Sequence, residues 1–166
     1  MSAVDYSFVT NWKIRAPLKH VWEAIFDSDR WPVWWKGVEQ VVRLEPATGP
    51  HEVGSLRRYT WKSRLPYRLT FTMRMIRVEP LLSIEAQAVG ELEGTGRWSF
   101  SEDRPVTTVR YDWNVRTTQP WMSLLASVGR PLFVWNHNEV MRQGGEGLAE
   151  YVRKKMENAL GHGEPQ

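Results

Sequence analysis

Two hydrophobic periods alternate along the chain, and the switches between them predict the elements. Tyr6 to Ile14 alternates, with Tyr6, Phe8, Trp12 and Ile14 on one face and Ser7, Asn11 and Lys13 on the other. Period two of this kind marks a half-buried strand. Arg15-Ala16-Pro17 ends it, because proline donates no ladder hydrogen bond. Leu18 to Phe26 reads as a short helix with Val21, Trp22, Ile25 and Phe26 on one side. Asp27 to Trp35 reads as a second short helical or turn-rich piece, with Asp27, Ser28 or Asp29 as its cap and Gly37 as its stop.

Period two then returns six times, at Val38 to Leu44, Ser55 to Ser63, Tyr67 to Glu79, Leu82 to Val89, Leu92 to Glu102 and Thr107 to Thr117. Pro46, Gly49, Pro50, Gly54, Leu65-Pro66, Pro80, Gly90 and Asp103-Arg104-Pro105 separate these runs, as turn residues should. The strand 67–79 sets Tyr67, Leu69, Phe71, Met73 and Met75 against Arg68, Thr70, Thr72 and Arg74. In the strand 55–63 either Leu56, Arg58 and Thr60 or Arg57, Tyr59 and Trp61 face inward, since both sets mix apolar and polar groups. Trp121 to Val128 reads as helical.

The longest helical reading is the last, Pro131 to Leu160. Phe133, His137, Met141, Gly144, Leu148 and Val152 recur at spacings of three and four and share one face. Pro131 falls where a first-turn proline is tolerated. Gly144, Gly145 and Gly147 are out of character in mid-helix, where each costs roughly 1 kcal/mol relative to alanine. They mark either a kink or close crossing against the sheet, or a thin wall that leaves room for a ligand. The expected fold class is α+β: a curved antiparallel sheet of about seven strands wrapped around a long C-terminal helix, with two short helices after the first strand. One domain spans 1–166, with residues 161–166 as a frayed tail.

Composition sharpens this picture in three ways. Ten tryptophans in 166 residues is far above ordinary use, and a third of them lining a cavity, with the rest in the core, would account for it. The chain has no cysteine, which excludes disulfides, thiolate metal ligands and a cysteine nucleophile. With no signal-like run or long apolar stretch at hand, a soluble cytoplasmic protein is expected. A net charge of +3 is too small to imply a nucleic-acid partner, and none is expected.

The stretches Ile14-Arg15-Ala16-Pro17, Val21-Trp22-Glu23-Ala24-Ile25 and Trp31-Pro32-Val33-Trp34-Trp35-Lys36-Gly37-Val38 carry a family likeness, as do Gly54 before a basic strand and Gly144 to Leu148 in the last helix. The chain resembles the START/Bet v 1-like (SRPBCC) superfamily of helix-grip fold, in particular its polyketide cyclase/dehydrase-like branch. The resemblance implies a deep pocket between the concave sheet and the long helix. It implies binding of a hydrophobic molecule, lipid, sterol, polyketide or quinone, and in some members a cyclisation.

A bent sheet and one helix leave a wedge, and small residues at Ala86, Ala88 and Gly144 would enlarge it. Tyr59, Trp61, Phe71, Met73, Trp98, Tyr111, Trp113, His137 and Met141 join Ala86 and Gly144 as candidate ligand contacts, suited to a flat apolar guest. The leading expectation is a binding protein for a small hydrophobic, aromatic, polyketide-like or lipid-like ligand. An enzyme of the cyclase/dehydratase kind is the alternative, with His137, Tyr111 or Glu139 moving protons. No cofactor and no metal are expected, because no histidine has ligand spacing to another.

Charge supplies a third reading. Seven basic residues and no acidic one lie between Ser55 and Val78, whereas acidic residues dominate from Glu85 to Asp103. Pairing between neighbouring strands is the plain expectation. An interaction module using the basic strands, with weak contact to an anionic membrane surface, is the rival. An inward arginine, with Arg58 the candidate, would pair with an acidic ligand.

Overall fold

The computed structural model describes residues 4–120 and 126–161. Strand β1 (Asp5–Ile14) leads into helix α1 (Leu18–Phe26), a 3-10 turn (Ser28–Arg30) and the one-turn helix α2 (Trp31–Trp34). Six strands follow: β2 (Val38–Glu45), β3 (Leu56–Trp61), β4 (Leu69–Glu79), β5 (Ser83–Gly90), β6 (Leu92–Asp103) and β7 (Val106–Thr117). Helix α3 (Ala126–Gly161) is the last element. The strands form one antiparallel sheet in the order β1-β7-β6-β5-β4-β3-β2, so β1 and β2 are its edges. Register shifts between Val38 and Gln40, Arg43 and Glu45, and Met75 and Arg77 mark bulges, which bend strands. This is the expected helix-grip fold.

Most strand faces follow the expected alternation. On β1, Tyr6, Trp12 and Ile14 are buried and Phe8 is half-buried. On β7, Val109, Tyr111, Trp113 and Val115 point inward. Cross-strand neighbours Trp98 and Tyr111 stack with ring centroids 4.0 Å apart. The open parity of β3 resolves to Arg57, Tyr59 and Trp61 facing inward. Arg58 is exposed, so the expected inward arginine is Arg57 instead.

Arg57 does not reach a ligand. Its guanidinium donates to Asp29 at 2.9 Å, to Glu52 at 3.0 Å and to Ser55 Oγ at 2.8 Å. Arg43 joins the same two carboxylates. The network ties the turn before α2 to β2 and β3, which takes Asp29 out of the helix-capping role its sequence position suggested. Ser28 is likewise committed, accepting from the Tyr59 hydroxyl at 2.8 Å. Neither the 3-10 turn nor α2 has a side-chain cap. Helix α1 begins after Pro17, which has no capping side chain. Glu102 of β6 accepts from the Leu18 amide instead, at 3.0 Å.

The basic residues of β3 and β4 pair differently from the expectation. Their partners are on β2, in the turns before and after it or on their own strand: Arg57 with Asp29 and Glu52, Arg68 with Glu39, Arg74 with Glu45, and Arg77 with Glu79. The acidic group of β5 and β6 turns elsewhere, Glu93 to Arg116 and Glu102 to Arg104. The pairing is real, but β2 and the turns on either side of it, rather than β5, supply most of it.

Helix α3 buries the expected stripe, with Met141, Leu148 and Val152 nearly inaccessible. Full burial of a leucine or valine is worth about 1.5–3 kcal/mol relative to exposure. The helix is already running at Ala126, so Pro131 lies inside it rather than in its first turn. The helix thus takes in residues 126–128 of the helix expected at Trp121 to Val128, whose residues 121–125 lie outside the described residues, as do 162–166 of the expected tail. No helix among the described residues is long and apolar enough to cross a membrane.

All three mid-helix glycines mark close approaches, Gly145 to the Trp12 indole at 2.9 Å from a Cβ and the other two closer still. A Cβ at Gly144 would lie 2.4 Å from the Trp35 indole, and one at Gly147 would lie 1.8 Å from the Trp34 carbonyl oxygen. The space at Gly144 is therefore taken by the protein's own ring, not left for a guest.

Candidate functional site

An internal cavity of about 80 Å³ lies between the sheet and α3. Its floor is Trp61 of β3, Leu69, Phe71 and Met73 of β4, Leu92 and Trp98 of β6, and Tyr111 and Trp113 of β7. These side chains converge because inward positions two apart on successive strands share one face. Phe133, Asn136, His137, Val140 and Met141 of α3 form the roof, and Trp31 and Trp35 close one side. Five tryptophans therefore line the cavity.

The rings interlock. Trp35 meets Trp61 and Trp12 edge-on at 5.0 and 5.4 Å and tilts against Trp31 at 5.2 Å. Trp61 stacks on Phe71 at 6.4 Å, and Phe71 tilts against Trp113 at 5.6 Å. This packing fills most of the wedge. The hollow is small beside the roughly 300–1,000 Å³ of a typical ligand pocket, and it is not the deep pocket the family likeness implied. It is about half the ~150 Å³ of a dry cavity known to take benzene, so a ring enters only with some movement of the lining side chains.

The cavity does not end inside the protein. A surface cleft of about 210 Å³ adjoins it and shares Lys62, Ser63, Asn136 and Val140 with its lining. Lys36, Arg64, Glu139 and Gln143 complete the cleft.

Of the candidate contacts, Trp61, Phe71, Met73, Trp98, Tyr111, Trp113, His137 and Met141 line the cavity. Tyr59, Ala86 and Gly144 do not. Tyr59 is sealed against Ser28, and Gly144 against Trp35. Ala86 pairs across the sheet with Gly96, where a Cβ would meet the Tyr111 hydroxyl at 2.5 Å. Gly96 makes room for Tyr111 and Trp113 rather than for a guest. Glu139 stands in the cleft, not in the cavity, held by Arg142 and Gln143. Phe133 belongs to the inner helix stripe already read from the sequence, and Asn136 and Val140 were legible as its flanks, since the stripe is wider than its central row. Trp31 and Trp35, set by packing of the turn around α2, carried no such signal.

Burial sets the chemistry of the two titratable groups in the cavity. His137 stacks on Phe8 with centroids 3.8 Å apart. Desolvation pulls its imidazole down to about 4, so it is neutral at pH 7. Desolvation pushes the Tyr111 phenol well above its ordinary range, so it keeps its proton. Glu139 is held down at about 2, first by its hydrogen bond from Arg142. Three lining residues carry buried polar atoms without a partner among the described residues: Trp61 Nε1, Asn136 Oδ1 and His137 Nδ1. A purely apolar guest would leave all three unpaired, at a cost to the complex.

The family model described as polyketide cyclase / dehydrase and lipid transport matches residues 6–161. No curated protein matches the sequence. Among solved structures, the Zhui aromatase/cyclase from Streptomyces sp. R1128 superposes with a TM-score of 0.72 at 14% identity, over 92% of this chain and 96% of that one. A START superfamily protein from Mycobacterium smegmatis gives 0.72 at 13% identity, over 89% and 97%. The di-domain ARO/CYC BexL from the BE-7585A biosynthetic pathway gives 0.69 at 19% identity, and this chain spans 89% of its own length but 50% of BexL. At such identities these likenesses speak for the fold. With the family model matching nearly its whole length, the chain belongs to the polyketide cyclase / dehydrase and lipid transport family.

Proposed function

We propose that this protein binds a small, flat, mainly apolar molecule, with one ring seated between the sheet and α3. The observation that carries the reading is the aromatic cavity itself, bounded by Trp31, Trp35 and Trp61 and adjoined by a surface cleft. Apolar burial drives such binding at roughly 25 cal/mol per Å², less the cost of association. The neighbours that act as aromatase/cyclases are compatible with a ring-shaped guest.

Binding is favoured over proton-transfer catalysis by the state of the candidate groups. An imidazole near 4 and a phenol well above 10 stand far from a neutral working pH, where general acids and bases are most effective. Glu139 is ion-paired outside the cavity.

The test is thermal. Calorimetric melting in rising p-cresol should raise the Tm of the parent protein and not that of Met73→Trp, in which the new ring plugs the cavity. No rise in the parent, or an equal rise in both, overturns the proposal.

A further inference from the structure

We propose that the guest is an amphipathic anion: its ring enters the cavity and an acidic group on a short tail rests in the adjoining cleft. This rests on the binding reading above and names the ligand class for that site. Cavity and cleft meet at Lys62, Ser63, Asn136 and Val140, so a molecule too long for the hollow continues into the cleft.

The cleft holds three cations, Lys36, Lys62 and Arg64, against one carboxylate, Glu139. That carboxylate is already satisfied. It accepts from Arg142 at 2.8 and 2.9 Å and from Gln143 at 3.0 Å, while Arg64 approaches no nearer than 4.0 Å. Glu39 lies within electrostatic reach of Lys62 but is bound to Arg68. Lys36 and Lys62 are exposed and make no ion pair among the described residues. The cleft therefore carries uncompensated positive charge beside an apolar hollow. An apolar molecule makes no use of that charge, and a cation is repelled by it. A carboxylate or phosphate gains attraction without burying its charge, because the lysine heads remain in water. Trp61 adds an unpaired N–H beside the cavity, a further donor to an acceptor-bearing guest.

A matched pair of probes tests this by ¹⁹F NMR titration of the full chain: 3-(4-fluorophenyl)propanoate and its neutral analogue 3-(4-fluorophenyl)propan-1-ol. The propanoate should bind roughly tenfold tighter at low salt, one charge-assisted contact's worth of preference. That ratio should shrink towards one in 0.5 M NaCl and in the double variant K36Q/K62Q, whose melting temperature checks that it is folded. A third probe, 4-fluorobenzyl phosphate, separates the acids: tighter binding than the propanoate assigns the cleft to phosphate, and weaker binding assigns it to carboxylate. Equal affinity for propanoate and propanol, or a preference that survives both salt and K36Q/K62Q, overturns the inference while leaving the apolar site intact. Failure of every probe to bind removes the site itself, and the inference with it.

Discussion

Trp35 occupies the space that Gly144 leaves open. Its Nε1 donates to the Val140 carbonyl at 2.9 Å, and its ring stands 2.4 Å from where a Gly144 Cβ would be. One indole thus fixes the distance between α3 and the turn after α2, and so the height of the cavity roof.

Gly144→Ala should therefore destabilise the protein. In an open helix the change would gain roughly 1 kcal/mol of propensity. Here it forces a contact that overpacks the core, which typically costs about 1–3 kcal/mol. A net loss of about 1 kcal/mol is expected in the urea midpoint. Trp35→Phe/Gly144→Ala should lose less than the sum of the single changes, since the two residues share one contact. A stabilised Gly144→Ala would show the crossing to be loose.

Arg57 and Arg58 are adjacent and should differ sharply. The Arg57 side chain is 6% exposed, and removing it leaves Asp29 and Glu52 crowded without their shared cation. Breaking a fully buried pair costs about 3–5 kcal/mol, and because both carboxylates are partly solvated, Arg57→Ala should cost about 2–3 kcal/mol. Arg58→Ala, on the solvent face, should stay within about 0.5 kcal/mol. Denaturant melts of the two variants check this, and equal effects would contradict the inward parity of β3.

His137 should impose a pH dependence on stability. Its folded value of about 4 lies below its ordinary 6.5, so between those values the unfolded chain binds the proton that the folded chain refuses. Stability falls as pH drops from about 6.5 to about 4, by up to about 3 kcal/mol, and the loss levels off below. Paired carboxylates such as Asp29 and Glu139, held low in the folded state, also lose stability towards acid. The difference between parent and His137→Phe isolates the histidine: it should be constant above about pH 6.5, shift against the parent as the pH falls from there to about 4, and level off below. A pH-independent difference would mean that the imidazole is solvated.

The strands and the inner stripe of α3 were legible because alternation and three-four spacing record which side faces water. Tyr6, Phe71, Trp113 and Leu148 all fall where that record places them. The parity of β3 was not legible, because Arg57 is buried by partners five and 28 residues away in the chain. Periodicity cannot register such partners. Nor could the size of the hollow be read. A small residue at Gly144 announces space, but only packing decides that Trp35 fills it. The cationic cleft was hidden for the same reason: Lys36, Lys62 and Arg64 meet only because α2, β3 and α3 converge.

The most direct test of a guest-holding cavity is the ¹³C-methyl spectrum of the methionines during titration with a single-ring aromatic such as p-cresol. Met73 and Met141 line the cavity, whereas Met75 and Met156 do not. Ring currents from a bound guest should move the Met73 and Met141 methyl signals in a saturable way and leave Met75 and Met156 in place. If no methyl moves at saturating probe, or if Met75 and Met156 move while Met73 and Met141 stay still, the space between the sheet and α3 does not hold a ligand.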